Sequence, residues 1–273
     1  MLNAKLPEGA VGLAWLGQAG FLLRHGQSRI LIDPYLSNWL ARKHSGTEFS
    51  HERMMPPPLD AEECQGLDLG FCTHRHGDHM DPETLTVLAK NNPQCRFVVP
   101  RAELKFALES GLLESRLIPV TDGESIRLGS ALEFHTVAAA HETFQTNEKG
   151  DHHFLGFVLR FGDVVIYHSG DSLVYEGLTE NLRKMSINLA LLPVNGRSNY
   201  LSERGIVGNM NFDEAAALCL ATGIPWLIPM HFGLFAFNTV APEELQKRIE
   251  KIDSSQLRCL LPEPGLYYQF STR

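Results

Sequence analysis

No apolar run in this 273-residue chain approaches the roughly 18–20 residues that a membrane-crossing helix needs. The opening "MLNAKLPEGAVGLAWLG" has no basic segment leading into a long apolar stretch, so the expectation is a cytoplasmic protein without an export signal. Positive charge is in deficit, with 24 Lys+Arg against 32 Asp+Glu and a net charge of −8. That balance leaves no basic stripe for nucleic acid and argues against an anionic membrane surface. CxxC is missing too. The five cysteines, Cys64, Cys72, Cys95, Cys219 and Cys259, are odd in number and irregularly spaced, which fits free thiols in a reducing compartment. No linker-like or low-complexity tract divides the chain. One domain spanning residues 1–273 is therefore expected, large enough to bury a sizeable core.

What is present is a strand-rich pattern interrupted by helices. "LAWLGQAGFLLRHGQSRILIDPYLS" reads as two strands turned at Gly26-Gln27, the second ending at Asp33-Pro34. Trp15 and Phe21 read as core. "DLGFCTH" is a short strand with Cys72 in the core, and "DPETLTVLAKNN" a helix with Asp81 as N-cap and Pro82 in its first turn. "SIRLGSALEFHTVAAAH" and "FLGFVLRFGDVVIYHSGDS" read as successive hairpins, the second turned at Gly162-Asp163. Further on, strands alternate with helices, among them "FDEAAALCLATG" closed by Gly223. The whole suits an α/β (α+β) fold of two mixed sheets packed face to face with helices outside. A long irregular loop, 37–66, stiffened by Pro56-Pro57-Pro58, carries His44 and His51. The reading for these two is solvated loop histidines, with a lid as the alternative.

Between Thr73 and Asp81 the chain reads "THRHGDHMD", three histidines and two aspartates in nine residues. On a strand, His74 and His76 share a face and can aim at one point. Gly77 allows a sharp turn that re-aims Asp78 and His79 at a second point. Three more candidates each follow an apolar strand: His141, Asp171 and His231. Sites gather at strand ends in layered sheets, so this ordered set points to a metal centre rather than a polar surface loop. Imidazole and carboxylate donors suit Zn, Mn, Fe or Co.

"HRHGDH", then a strand-end His, then "GD", then a strand-end His, resembles the metallo-β-lactamase superfamily. Within it the strings "WLGQAGFLLRHGQSRILIDPYLS", "YHSGDS", "LPVNGR", "GNMNFDEA" and "IPMHFGLFAFNT" resemble the bacterial L-ascorbate-6-phosphate lactonase group. The resemblance implies a four-layer αββα sandwich with a two-metal centre, Mn or Zn, at one edge. By motif position His74, His76 and His141 would hold one ion, Asp78, His79 and His231 the other, and Asp171 would bridge. It implies hydrolysis by a metal-bridging hydroxide, with Asp78 also shuttling a proton. The implied substrate is a small phosphorylated lactone such as L-ascorbate 6-phosphate, and a homo-oligomer is compatible with it.

Around that centre Arg197 is the candidate phosphate clamp and Asn195 the candidate hydroxyl partner, with a solvated surface turn as the alternative. Asp33 is expected to orient a ligand histidine. His168 is expected either to donate to a ligand or to be a buried structural residue. His152, His153 and His135 read as loop or strand residues. The competing functions are a phosphodiesterase of the same fold and a non-catalytic metal-binding protein. The full set of seven candidate ligands argues against a decayed site.

Overall fold

Apolar residues at successive positions of strand β1 (Val11–Gly17) point alternately to two different cores. Leu13 and Trp15 enter a cluster shared by two sheets, and Ala14 and Leu16 enter a second cluster under helices. A strand covered on both faces has no polar side to keep, which is why its sequence shows no polar alternation. The computed structural model describes residues 5–129 and 132–272. The reversal expected between the strands of the "SIRLGSALEFH" hairpin falls partly on residues 130–131, outside the described residues.

The first sheet contains β1, β2 (Gly20–His25), β3 (Ser28–Ile32), β4 (Leu69–Phe71), β5 (Arg96–Pro100), β6 (Leu117–Val120) and, at its far edge beside β1, the last strand β14 (Tyr267–Phe270). The second contains β7 (Ser125–Leu128), β8 (Leu132–Ala138), β9 (Leu155–Phe161), β10 (Val164–His168), β11 (Leu189–Pro193), β12 (Trp226–Met230) and β13 (Arg258–Cys259), in sequential order. Each sheet starts antiparallel and becomes parallel, at β3–β4 in the first and at β10–β11 in the second. Helices α2 (Pro82–Asn91) and α3 (Leu104–Glu109) lay Leu85, Leu88 and Ala107 on the outer face of the first sheet. Helices α4 (Leu178–Arg183), α6 (Phe212–Thr222) and α7 (Pro242–Ile249) cover the second with Leu182, Leu218 and Leu245. The result is the four-layer αββα sandwich.

Local signals set most element ends. Asp81 caps α2 by accepting the Glu83 amide, and Asn211 and Glu214 form a capping box at the start of α6. Gly26-Gln27 and Gly162-Asp163 make the two-residue turns. One boundary departs from expectation: "LAWLGQAGFLLRH" is two strands, not one. The chain reverses at Gln18-Ala19, where Gly17 (φ +92) and Gln18 (φ +51) both take positive φ. The 37–66 loop contains helix α1 (Trp39–Lys43) and a 3₁₀ turn at Ala61–Glu63. It is anchored by the Met54 amide on the Leu234 carbonyl at 2.8 Å and by Tyr35 and Leu40 against Leu234 and Phe235. A further short helix, α5 (Asn199–Ser202), lies between β11 and α6. Among the described residues no helix is long and apolar enough to cross a membrane.

Between the sheets Phe71, Phe134 and Phe157 meet edge to face, with centroids 5.0–6.3 Å apart. All are essentially inaccessible to solvent, so truncating one leaves a cavity that rigid strands cannot close. Phe157→Ala is expected to lower unfolding free energy by about 3–5 kcal/mol in urea titrations; a loss below about 1 kcal/mol would contradict this picture of the core.

Candidate metal centre

The site lies where the carboxyl ends of strands from both sheets converge. Asp33 follows β3, the "THRHGDHMD" loop follows β4, His141 lies beyond β8, Asp171 beyond β10, and His231 directly after β12. The expected strand geometry for His74 and His76 does not hold. Strand β4 ends at Phe71, and the histidines sit in a loop folded back on itself, with the amides of His79 and Met80 both bonded to the His76 carbonyl. Gly77 matters for room rather than for a special dihedral: a Cβ there would lie 2.4 Å from Cζ3 of Trp39. Gly170, beside Asp171, has φ +60, and a Cβ there would press on the Leu155 carbonyl at 2.6 Å.

The structure brings the seven candidate ligands together. The His74 ring lies 4.0 Å from His79, 4.5 Å from His76 and 5.8 Å from His141 between centroids. Asp171 is central, its Oδ1 at 3.4 Å from His79 Nε2 and its Oδ2 at 3.2 Å from His231 Nε2 and 3.9 Å from His141 Nε2. Asp78 Oδ2 is 3.8 Å from both His79 Nε2 and His231 Nε2. Among the described residues two triads have ligand atoms within 4.8 Å of one another: Asp78, His79 and His231, and His74, His79 and Asp171. The first is the expected second-ion set. In the other, His74 groups more tightly with His79 and Asp171 than with His76 and His141.

The far nitrogens of three imidazoles, His74, His79 and His141, are committed to support, while Nδ1 of His231 is buried without a partner. Asp33 accepts Nδ1–H of His79 at 2.7 Å and the Thr73 hydroxyl at 2.6 Å. The Thr73 oxygen, having donated its proton, accepts from His74 Nδ1 at 3.0 Å. Asn209 Oδ1 accepts from His141 Nδ1 at 3.0 Å. With Nδ1 as donor, each of these rings directs an Nε2 lone pair inward, the arrangement that metal-ligating histidines adopt. Nε2 of His74, Nε2 of His79 and Oδ1 of Asp171 are buried and lack a hydrogen-bond partner. Buried acceptors left unpaired are costly, and a divalent cation is the group that satisfies imidazole nitrogens and carboxylate oxygens together. The residues therefore fit a metal ion.

Electrostatics agree. Burial pushes the His74 imidazole well below its ordinary value and lowers His141, so both are neutral at pH 7. Burial would neutralise Asp171 and Asp78, but His231 and His79 outweigh it and hold both carboxyls below their ordinary range. His79 feels burial too, yet Asp171, Asp78 and Asp33 together raise it well above an ordinary histidine, so without an ion its Nε2 keeps a proton that a bound cation would displace. Two ionised carboxylates close together, Asp171 buried and Asp78 partly so, call for positive charge.

Two expectations are corrected, for Arg197 and Asn195, and of the two readings of His168 the structure gives the buried structural one. Arg197 is no phosphate clamp. Its guanidinium is paired bidentately with Glu214, at 2.7 and 2.8 Å, and it does not line the cavity over the ligands. Asn195 is no hydroxyl partner. It accepts from Asn209 and donates to Asn238, so its amide supports the residue that orients His141. His168 donates Nε2–H to the Ala19 carbonyl and accepts the Gly170 amide, touching backbone rather than a ligand side chain. It pins the Gln18-Ala19 turn to the turn that carries Asp171.

Several residues went unassigned in the sequence. Gln18 is buried, and its side-chain Nε2 lies 2.8 Å from Asp78 Oδ2 and 3.1 Å from His231 Nε2, while its main-chain carbonyl accepts the His231 main-chain N–H. Phe154 lies against the rings of His74, His76 and His141, with centroids 4.9–5.6 Å away. His44 and His51, read as solvated, instead line a cavity of about 460 Å³ that opens over His76, Asp78, His141, Asp171 and His231.

Residues 28–232 match the family model described as a beta-lactamase superfamily domain. The chain belongs to that superfamily. A UPF0173 metal-dependent hydrolase of Pyrobaculum islandicum is 27% identical over 256 residues, covering 93% of this chain and 97% of its own length. Another so named, from Myxococcus xanthus, is 27% identical over 269 residues, covering 96% of this chain and 84% of its own length. In fold the chain is similar to an isothiocyanate hydrolase from Delia radicum gut bacteria (TM-score 0.76, 18% identity, 96% of this chain and 100% of that one). It is also similar to Igni18, a metallo hydrolase of Ignicoccus hospitalis (TM-score 0.71, 19% identity, 97% and 100%).

Asp33→Asn is expected to keep the fold and to weaken metal binding about 10–100-fold in chelator competition, because a carboxamide answers the His79 proton less strongly. Unchanged affinity would contradict the supporting role. Arg197→Ala is expected to leave the ratio of kcat/KM for phosphorylated and non-phosphorylated substrates unaltered; a selective loss on the phosphorylated member would restore the clamp.

Proposed function

We propose that this chain hydrolyses a small molecule at a centre of two divalent ions, Mn or Zn, held by His74, His76, His141, Asp78, His79 and His231 with Asp171 between them. The chain is a metal-dependent hydrolase of the beta-lactamase fold. One observation carries the reading: Nε2 of His74, Nε2 of His79 and Oδ1 of Asp171 are buried, unpaired and convergent, and both imidazoles are held by a hydrogen bond at Nδ1. When bound, such ions polarise a scissile carbonyl and lower the pKa of water toward neutrality.

The residues supply the rest. Asp171 and the histidines fix position, and Asp33, Thr73 and Asn209 hold them in orientation. Asp78 lines the cavity, and its Oδ2 is held by the Gln18 amide. Its Oδ1 is then the oxygen to take a proton from the attacking water and pass it to the leaving group. Phe154 packs against the rings of His74 and His141 and helps to hold them in place. The substrate carries an ester- or lactone-type carbonyl. A phosphorylated lactone such as L-ascorbate 6-phosphate is the second reading, and it would need Lys43 and Arg75, which line the cavity, to turn from the Trp39 ring and Glu103 to its phosphate.

The test is to strip the protein of metal, add back Mn or Zn, and follow hydrolysis of lactones, simple esters and phosphodiesters. Metal-dependent turnover of a carbonyl substrate is expected, and Asp78→Ala and His231→Ala should each reduce it at least about 100-fold with the circular dichroism spectrum kept. Full activity in either variant would sink the mechanism. Turnover confined to phosphodiesters would replace it with the phosphodiesterase reading.

A further inference from the structure

The cavity over the ligands has two unlike sides. One is the donor cluster. The other is built from rings: Trp39, His44 and His51 from the 37–66 loop, and Phe235 and Phe237 from the segment after β12. His44 stacks on His51 with centroids 4.3 Å apart. His51 stands edge-on to both Phe235 and Phe237 at 4.9 Å, and those two phenyl rings are parallel to within 4°. This side abuts the reacting end directly, because Trp39 packs over Gly77, between His76 and Asp78.

The ring side is also uncharged where it faces the cavity. Burial lowers both His44 and His51 below the ordinary histidine value, and the His51 Nδ1 proton is spent on the Phe49 carbonyl at 2.8 Å. The cations at its border have partners already. Lys43 Nζ sits over the Trp39 ring at 4.5 Å, and Arg75 lies 3.7 Å from the buried carboxylate of Glu103. A polyhydroxylated or polyanionic group placed against these rings would lose water without gaining partners. A flat apolar group would gain offset-stacked and edge-to-face contacts. The cavity volume, about 460 Å³, is in the range of small-molecule sites.

We propose that the substrate carries a flat aromatic group beside its scissile carbonyl and seats it on the rings of Trp39, His44, His51, Phe235 and Phe237. This rests on the hydrolase reading for the reaction, but the seat itself is a property of the ring wall.

Two matched pairs of compounds separate the two claims. N-benzylacetamide and N-(cyclohexylmethyl)acetamide, which resist hydrolysis, are titrated calorimetrically into the full chain held in chelator. Benzyl acetate and cyclohexylmethyl acetate are assayed with added Mn or Zn. The benzyl amide is expected to bind about 10-fold more tightly than its saturated partner. The preference should fall toward parity in Phe237→Leu and in His51→Leu, which keep apolar bulk and remove a flat ring. The benzyl ester should show the same preference in kcat/KM. Equal affinity for the two amides in the native protein, or a preference unchanged in both variants, overturns the proposal. Turnover of both esters at equal kcat/KM also overturns it and leaves the hydrolase reading standing. The binding preference without turnover of either ester supports the seat and counts against the hydrolase reading.

Discussion

Asp33 has no contact with solvent, and a carboxylate in that position is tolerated only if its charge is fully answered. Three donors answer it: the Thr73 amide at 2.8 Å, the Thr73 hydroxyl at 2.6 Å and the His79 imidazole at 2.7 Å. These bonds lock the end of β3 to the loop after β4. Through the Thr73 oxygen they reach His74 as well, so one buried charge orients two imidazoles. Asp33 itself takes φ +44, an uncommon conformation that the three bonds and the parallel pairing of β3 with β4 hold in place. The rest of the centre is organised around that fixed pair of rings.

From the other sheet, Asp171 faces the same two imidazoles. It is brought there by a turn that only glycine fits at position 170, pinned by His168 to the Gln18-Ala19 turn of the first sheet. The Ala140 amide and carbonyl bond to Ser172 and Leu173, tying the segment that carries His141 to the one that carries Asp171. The two sheets thus meet at their strand ends through polar contacts, while their faces meet through the aromatic core. A site assembled this way needs no movement of the core to hold its ligands, which is the physical basis for preorganisation.

Much of this was legible where the signal was local. Asp81-Pro82 announced a helix start, Gly26-Gln27 a hairpin, and the spacing of His74, His76, Asp78 and His79 a ligand loop. What was hidden depends on partners far along the chain. The Gln18 amide meets residues 60 and 213 positions away, and the apolar surroundings of "GQAG" masked the turn that aims it. Arg197 reads as a free cation until α6 folds and its capping residue Glu214 takes both ends of the guanidinium. His44 and His51 read as loop histidines because the phenyl rings on which His51 packs, with His44 stacked on it, come from far along the chain. Asn195, whose neighbours in sequence suggested a substrate loop, is one link in a relay of amides behind His141.

The central claim is that the buried donors form a binuclear metal site, and the most direct measurement is a count. Equilibrium dialysis of the native chain against Mn or Zn, with metal per chain read by mass spectrometry, should give two equivalents. The count should fall in Asp171→Asn, whose carboxylate faces both His79 and His231. One equivalent or none in the native chain would contradict the account.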